Sequence, residues 1–365
     1  MSRDPSEAYF ESYTPIQAHK HALLEHYLGA WYPKLASWSG HVLYLETHAG
    51  RGIHNTGQLG SPLVAIRTLM NHSQRDAIVR RAQIYFYLME NDPANVSVLN
   101  AQVEKEPKIP EVIINVVECD FATKFKQELD RMEATGKRLV PAFVFMDPFG
   151  YKIPMDLVRR VLKFPNCEVM VNFMAQPVAR AVRDASKVSN LDVLYGSDVW
   201  RQALGVESFE SQMQKVTDLY VSAVASKWTT KLRLTGQTDY TLLHFTNHDE
   251  GRATMKRSVW AITGKFGNPG VNQLLLRDNP DQGTLIALEP DLGPLSEALT
   301  RDFWGKSFTY NEALKWLLPL DYTTTHLHQV LTEGRRNKWL TTEHKKVFGP
   351  NIGETPMKIE GSSLL

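Results

Sequence analysis

Four short apolar runs in the first half of the chain each lead into a carboxylate. Residues 41–46 end on Glu46, 84–89 lead to Glu90, 112–117 lead to Cys119-Asp120, and 141–146 lead to Asp147. An ionised carboxylate only accepts hydrogen bonds, and its two oxygens can take paired hydroxyls or the N–H groups of an amine. Four of them at strand ends could therefore hold a ligand rich in hydroxyl and amino groups. After Glu46 comes a glycine turn, Thr47-His48-Ala49-Gly50-Arg51-Gly52, in which missing side chains would let the backbone pass close beneath a nucleoside. In this reading Glu46 meets an amino group, Gly50 and Gly52 make room, and His48 stands in the same turn. Glu90 accepts both ribose hydroxyls and Asp120 accepts from an adenine amino group. Asp120 serves equally well as the cap of the helix that follows, and the two roles are compatible. A dinucleotide fold would need a third glycine and an acid about 20 residues further on. Asn55 holds the third position and Glu90 comes much later, so a nicotinamide cofactor is not expected.

Asp147-Pro148-Phe149-Gly150 is the most specific signal. Methyltransferases acting on nitrogen end their fourth strand on a D/N-P-P-Y/F tetrad. The acid and a backbone carbonyl accept from the target nitrogen, and the aromatic ring stacks on the target base. Asp147 and Phe149 fit those roles, with Phe149 in the usual place of the second proline. Methyl transfer asks mainly that a lone pair be positioned on an activated sulfonium, so S-adenosylmethionine is the expected cofactor. Asn172-Phe173 closes the fifth apolar run and is a candidate for the wall of the target pocket. His19 and Lys20 could reach the site from a leading helix, and read more readily as its solvated positions. Two cysteines, Cys119 and Cys167, cannot make a disulfide framework or a cysteine-based zinc site. The 12 histidines lack ligand spacing, so no metal is expected.

These groups need a frame. Leu23, Leu24, Tyr27, Leu28 and Trp31 mark an amphipathic helix over 19–31, ahead of the first strand. Ser61-Pro62 reads as N-cap and first position of a helix reaching about Met70. Helices over 93–103, 121–134 and 154–162 alternate with the strands, the last strand running 168–173. That alternation specifies an α/β fold with a mostly parallel, doubly wound, Rossmann-like sheet, whose ligands sit at the carboxyl ends of the strands. Beyond Phe173 the pattern loosens. A helical insertion is expected within 188–230, with segments at 191–204 and 211–228. A sixth strand is expected over 240–245 and an antiparallel seventh over 284–288.

Length and composition agree with two soluble domains. The chain has 365 residues, 43% apolar and 22% charged, with 41 basic against 40 acidic side chains. No apolar stretch is long enough to span a membrane, and the polar first ten residues are unlike a signal peptide, so a cytoplasmic protein is expected. A net charge of +1 means that any nucleic-acid contact needs a local basic patch. The boundary is placed at 290–294, giving a catalytic-type domain over 1–290 and a second over 291–365. In the second, helices over 309–318 and 323–335 flank Pro319-Leu320-Asp321-Tyr322, and 340–348 could form a wing. Leu327, Val330 and Leu331 would face the core of this winged helix-turn-helix. Arg335, Arg336, Lys338, Lys345 and Lys346 would contact phosphates, while His328, Gln329 and Thr332 lie off the apolar stripe and could reach bases.

Over most of its length the chain resembles the three-Cys-motif partner proteins. The likeness rests on residues 20–31, Tyr44-Leu-Glu-Thr-His-Ala-Gly-Arg-Gly52, Gly60-Ser-Pro-Leu63, Ala142-Phe-Val-Phe-Met-Asp-Pro-Phe-Gly150 and Val171-Asn-Phe173. The resemblance implies a class I S-adenosylmethionine-dependent methyltransferase domain with a C-terminal winged helix. It also implies, as a candidate partner, the product of a neighbouring gene that carries a three-cysteine motif. The Glu-Thr-His-Ala-Gly turn is similar to that of a bacterial ribosomal RNA adenine-N6 methyltransferase, and the tetrad is similar to that of tRNA guanine-N2 methyltransferases. Together they imply methylation of a nucleic-acid nitrogen, in RNA ahead of DNA, without fixing the base. Residues 53–59 depart from the class I pattern, in which the helix follows the glycines directly; a loop of that length could fold over the cofactor as a lid. The rival expectation is a sensor of S-adenosylmethionine or a related nucleoside that docks DNA or a partner protein through its winged helix. The intact tetrad argues against it. Modification of the partner protein is a third reading.

Overall fold

The computed structural model describes residues 10–11, 13–148, 150–235, 240–265, 273–275, 290–344, 346–349 and 352–360. They fall in two compact units, Met1–Ser258 with Gln273–Asp281, and Val259–Asn272 with Gln282–Leu365.

The first unit opens with a long helix, α1 (Pro15–Ala36), started by a capping box in which Thr14 and Gln17 satisfy each other's backbone N–H groups. Four βα repeats follow: β1 (His41–Glu46) and α2 (Ser61–Met70), then a short α3 (Arg75–Val79), β2 (Gln83–Glu90) and α4 (Pro93–Val103), β3 (Val112–Glu118) and α5 (Phe121–Ala134), and β4 (Ala142–Met146) and α6 (Met155–Lys163). The remainder is β5 (Cys167–Phe173), α7 (Ala175–Val182), α8 (Val188–Tyr195), α9 (Phe209–Val224), β6 (Trp228–Thr235), β7 (Tyr240–Thr246), α10 (Asp249–Lys265), whose residues from Val259 on are counted in the second unit, and β8 (Gln273–Leu275). The sheet runs β3-β2-β1-β4-β5-β7-β6-β8. Neighbours from β3 to β5 are parallel, and β7 is antiparallel to both β5 and β6. This is a mostly parallel, doubly wound, Rossmann-like sheet with helices on its faces, as the alternation of the sequence requires. All five residues of β4 and all seven of β5 are buried, which is why β4 reads as a continuous apolar run and not as an alternating one, while β5 carries the buried polar residues Glu168 and Asn172 among its apolar ones.

Three expectations change. Ser61 is not the cap of α2. Gly60 holds that position and Ser61 is the first helical residue, because the Ser61 hydroxyl is spent on the buried Glu46 carboxyl. The segment 240–245 is the seventh strand in chain order, inserted between β5 and β6. Helix α9 stops at Val224 with Ala225 in the left-handed region, and Trp228, expected to be helical, opens β6. The strand expected over 284–288 lies outside the described residues.

The second unit contains α11 (Gly293–Phe303), β9 (Ser307–Thr309), α12 (Tyr310–Leu317), α13 (Thr324–Arg336), β10 (Leu340–Thr342) and β11 (Pro356–Ile359). The three strands form an antiparallel sheet in the order β10-β11-β9. Leu327, Val330 and Leu331 point from α13 into a core with Leu295, Leu299, Phe308, Leu317, Trp339 and Met357. Gly334 is needed there, since a Cβ would fall 2.6 Å from the Trp339 ring.

Candidate functional site

Because β1 to β4 are parallel neighbours, the residues that follow them share one edge of the sheet. Glu46, Glu90, Asp120 and Asp147 are thus brought to a common rim, together with the glycine turn after β1. A cavity on this rim is lined by Lys20, His48, Gly50, Gly52, Asp147, Pro148 and Asn172, among others. Phe149 lies outside the described residues.

Asp147 is the centre of a polar cluster. Lys20 of α1 makes an ion pair with its Oδ2, and Asn172, at the penultimate position of β5, donates from Nδ2 to Oδ1 at 2.7 Å. The side chains of Lys20 and Asp147 are only 5% and 13% exposed. Lys20 is therefore an interior group and not the solvated helix-face residue its position suggests. His19 beside it is also buried. Burial of an ion pair is tolerated only when its remaining hydrogen-bonding sites are met, and Asn172 supplies one such contact. The Gly150 N–H is directed to the Met174 sulfur at 3.2 Å, which ties the turn after Asp147 to the end of β5.

Glu46 is fully buried. Its carboxyl accepts from the Tyr44 hydroxyl at 2.8 Å and the Ser61 hydroxyl at 2.5 Å. Burial pushes its pKa up to about 8, against the opposing pull of those two hydrogen bonds. It underlies the glycine turn and is not among the residues lining the cavity. His48 packs its ring against Phe121, with centroids 4.5 Å apart, and has Thr47 Oγ1 at 2.8 Å from Nδ1. Burial lowers its pKa to about 4, so the imidazole is neutral at neutral pH.

Gly50 and Gly52 adopt φ of +60° and +73°, in the left-handed region that favours glycine. Their missing side chains make room for protein. A Cβ on Gly50 would lie 3.1 Å from the Phe10 ring, and one on Gly52 would lie 2.7 Å from Leu99 and 3.2 Å from Leu63. Phe10 is buried against the turn, its carbonyl accepts from the Asn55 N–H at 2.9 Å, and the Arg51 guanidinium lies 4.5 Å from its ring centre. Residues 53–59 form a small hairpin-like loop, closed by a bridge between Ile53 and Leu59 and by the His54 N–H on the Gln58 carbonyl. That loop packs His54 beside Phe10 and Tyr13.

Glu90 and Asp120 stand at the ends of the next two strands, outside the lining of the cavity. Glu90 Oε2 accepts from the Gly50 N–H at 2.7 Å, and Oε1 accepts from the N–H groups of Asn91 and Asp92, each at 2.9 Å. Asp120 caps α5 through the Thr123 N–H, and hydrogen bonding to Thr123 holds its carboxyl below the usual range.

In the second unit Arg335, Arg336 and Lys338 are exposed, and a groove is lined by Thr332, Arg335, Arg336, Lys346 and Phe348. Gln329 and Thr332 are exposed on α13. His328 is engaged in packing: its ring stacks on Phe348 with centroids 3.8 Å apart, and its Nε2 is 2.6 Å from the Tyr310 hydroxyl. Lys345 lies outside the described residues. Sequence reasoning missed Phe10, Ser61, Tyr44 and Met174 as parts of the first site. The hydroxyl two residues before Glu46 was the one local signal available, since i and i+2 share a strand face.

No family model matches the chain, and no curated protein sequence does. Among solved structures, the chain is similar to a protein of the family DUF519 from Legionella pneumophila, at 15% identity and TM-score 0.37, over 70% of this chain and 93% of that one. It is also similar to human methyltransferase-like protein 13 in complex with SAH, at 12% identity and TM-score 0.37, over 67% and 92%. A third similarity is to TrmK of M. capricolum in complex with S-adenosyl-homocysteine, at 8% identity and TM-score 0.26, over 60% and 68%. Likeness of this degree leaves the assignment of chemistry to the site itself.

Proposed function

We propose that this chain is an S-adenosylmethionine-dependent methyltransferase acting on a nitrogen of a nucleic-acid base, in RNA ahead of DNA. We also infer that its second unit is a winged helix that grips the polymer, and that its family is that of the three-Cys-motif partner proteins. The observation that carries the reading is the Asp147-Pro148 turn. It ends the fourth parallel strand in one cavity with the glycine turn, and its carboxylate is fixed by Lys20 and Asn172.

The residues fit the cofactor in chemistry. Glu90 has four acceptor positions on its two oxygens, and three are taken by backbone N–H groups, so one remains, for one ribose hydroxyl and not for both as the sequence suggests. Asp120 is exposed and ionised at the next strand end, and as an acceptor it suits an adenine amino group. Room is the second requirement. The cavity, which Phe10 lines beside Gly50, measures about 60 Å³, against roughly 300–1,000 Å³ for small-molecule sites, so it has to widen for a nucleoside to enter. When bound, the cofactor supplies an activated methyl group on a sulfonium. Asp147 would hold the target nitrogen by its N–H and so aim the lone pair at that methyl group, with the N–H proton released on transfer passing to water. Neutral His48 and the Lys20–Asp147 pair keep the reacting centre free of a second positive charge, which would oppose the approach of the sulfonium.

The test is calorimetric titration with S-adenosylmethionine, paired with transfer of a labelled methyl group to unfractionated RNA and sheared genomic DNA. Wild type should bind and transfer, Glu90→Ala should bind more weakly, and Asp147→Ala should bind and not transfer. Binding without transfer to any polymer would favour the nucleoside sensor, and absence of binding would remove the cofactor from the reading.

A further inference from the structure

Asn172 is 2% exposed and lines the same cavity as Asp147. Its Nδ2 donates to Asp147 Oδ1 at 2.7 Å, which fixes which end of the amide is spent. Its Oδ1 is buried and has no hydrogen-bond partner among the described residues. Buried polar atoms of native proteins nearly always have partners, and an orphan at a cavity wall marks a place where something else completes the bond. Gln17, His48, His54, Ser61 and Tyr240 also line the cavity; beside Asn172 itself the polar groups are those of Asp147 and Lys20. Asp147 contributes two acceptor oxygens, and Lys20, the cation beside it, is directed to Asp147. The adjacent acceptors of Asp147 and Asn172 select for a ligand group that donates more than one hydrogen bond. A ring nitrogen offering only its lone pair gains nothing from them, and a hydroxyl can satisfy only one of the acceptors.

We propose that Asn172 Oδ1 is a substrate contact that takes the second N–H of a primary amino group whose first N–H is held by Asp147, so that the enzyme methylates exocyclic amines once. The inference rests on the methyltransferase reading above and narrows its substrate. With both N–H groups held, the amine's plane is fixed and its lone pair faces the incoming methyl carbon, which is the orientation contribution to catalysis. After one transfer only a single N–H remains, and the methyl group takes the place of the other against Asn172. A second transfer therefore has one acceptor unmatched, and the product is the monomethyl amine.

The test uses full-length protein, labelled S-adenosylmethionine and unfractionated RNA, with the products read as nucleosides by mass spectrometry. Wild type should yield monomethylated exocyclic amines only. Asn172→Leu, similar in size and without an acceptor, should keep its cofactor affinity within about threefold and lose on the order of 10²-fold in kcat, the scale of removing one aligned hydrogen bond from a preorganised site. Asn172→Asp separates the substrate contact from a structural tie. Two carboxyl groups 2.7 Å apart cannot both ionise easily, so at low pH the new carboxyl keeps a proton for Asp147 and an oxygen for the amine. Its activity should be substantial near pH 5.5 and collapse by pH 8.5, whereas wild type should not show that fall. Should Asn172→Leu melt or fail to bind cofactor, the Asn172→Asp pH profile decides. Full activity of Asn172→Leu, a flat profile for Asn172→Asp, or dimethylated or ring-nitrogen products from wild type would each overturn the proposal while leaving a methyltransferase. Absence of transfer by wild type to any nucleic acid would overturn the parent reading and this proposal with it.

Discussion

Replacing Glu46 by Gln should remove a pH dependence that wild type carries. Glu46 is completely buried, with one oxygen accepting from Tyr44 and the other from Ser61. Its pKa is raised from 4.5 to about 8 by burial. In the unfolded chain the carboxyl ionises near 4.5, so below that pH it is protonated in both states and its contribution to stability is fully present. As the pH rises, the unfolded state loses the proton first, and folding must be sustained against the cost of keeping the group neutral. The loss accumulates at about 1.4 kcal/mol per pH unit and levels off once the folded protein also ionises, near pH 8. The full span is on the order of 5 kcal/mol. Gln is nearly isosteric and does not titrate. It can accept from one hydroxyl and donate to the other, since hydroxyls rotate. Urea unfolding of wild type and Glu46→Gln should therefore give similar stabilities at pH 5 and a variant several kcal/mol more stable at pH 8.5. A difference that stays constant from pH 5 to 9 would refute the reasoning, because it would mean that Glu46 is ionised in the folded protein.

The same group tests the sequence reading of the cofactor site. An ammonium brought against Glu46 would force the carboxyl to ionise. With a pKa of about 8, binding at pH 7 would then release close to one proton, and calorimetry in phosphate and Tris buffers measures that release directly. Zero release would assign Glu46 to support of the glycine turn and not to the ligand.

Other perturbations follow from the same geometry. Lys20→Met should cost about 3–5 kcal/mol, because it strands the Asp147 carboxylate in a site where the two side chains are 5% and 13% exposed; the double variant with Asp147→Leu should recover most of that loss in urea unfolding. Gly334→Ala should destabilise the second unit by about 1–3 kcal/mol, since its Cβ would fall 2.6 Å from the Trp339 ring, and a melt unchanged from wild type would contradict the packing described. If the second unit grips nucleic acid, Arg336→Ala and Lys338→Ala should each lower the slope of log affinity against log salt by about 0.9 for duplex DNA. A slope left unchanged by both would remove these residues from the contact.

The sheet was legible because its strands announce themselves. Each of β1 to β5 is a mostly apolar stretch of five to eight residues that leads to an acid or ends on Asn172-Phe173, and helical spacing fills the gaps. Order beyond β5 was not legible. Trp228 continues an apolar pattern that a helix and a strand share, and only the left-handed Ala225 separates them. The carboxylates at the strand ends were found as positions, but their partners were not. Glu46 and Asp147 look alike in sequence. In the fold one is sealed under the turn with two hydroxyls, while the other forms an ion pair with Lys20, 127 residues away in the chain. The glycines of the turn were likewise found for the right backbone reason, and the space beside them is filled by Leu63, Leu99 and Phe10.

Helix α1 shows what kind of sequence signal was available and ranked second. Its apolar residues Leu23, Leu24, Tyr27, Leu28 and Trp31 do define a buried stripe, yet Gln17, His19, Lys20 and His21, ahead of that stripe, are buried as well. Four polar or basic positions out of the five from Gln17 to His21 are ordinarily a solvated stretch of helix, and a lysine is almost never buried without a partner. Once such a helix is placed against the sheet, that burial costs too much unless the surrounding groups answer it. Lys20 therefore implies a carboxylate at the strand edge, and the only tetrad acid in the chain is Asp147. A break in local pattern that the fold nevertheless buries is the expected mark of a functional site. Here it joins the first helix, the fourth strand and the fifth in one constellation: a cation that neutralises, a carboxylate that accepts, and an amide with one end still to be matched.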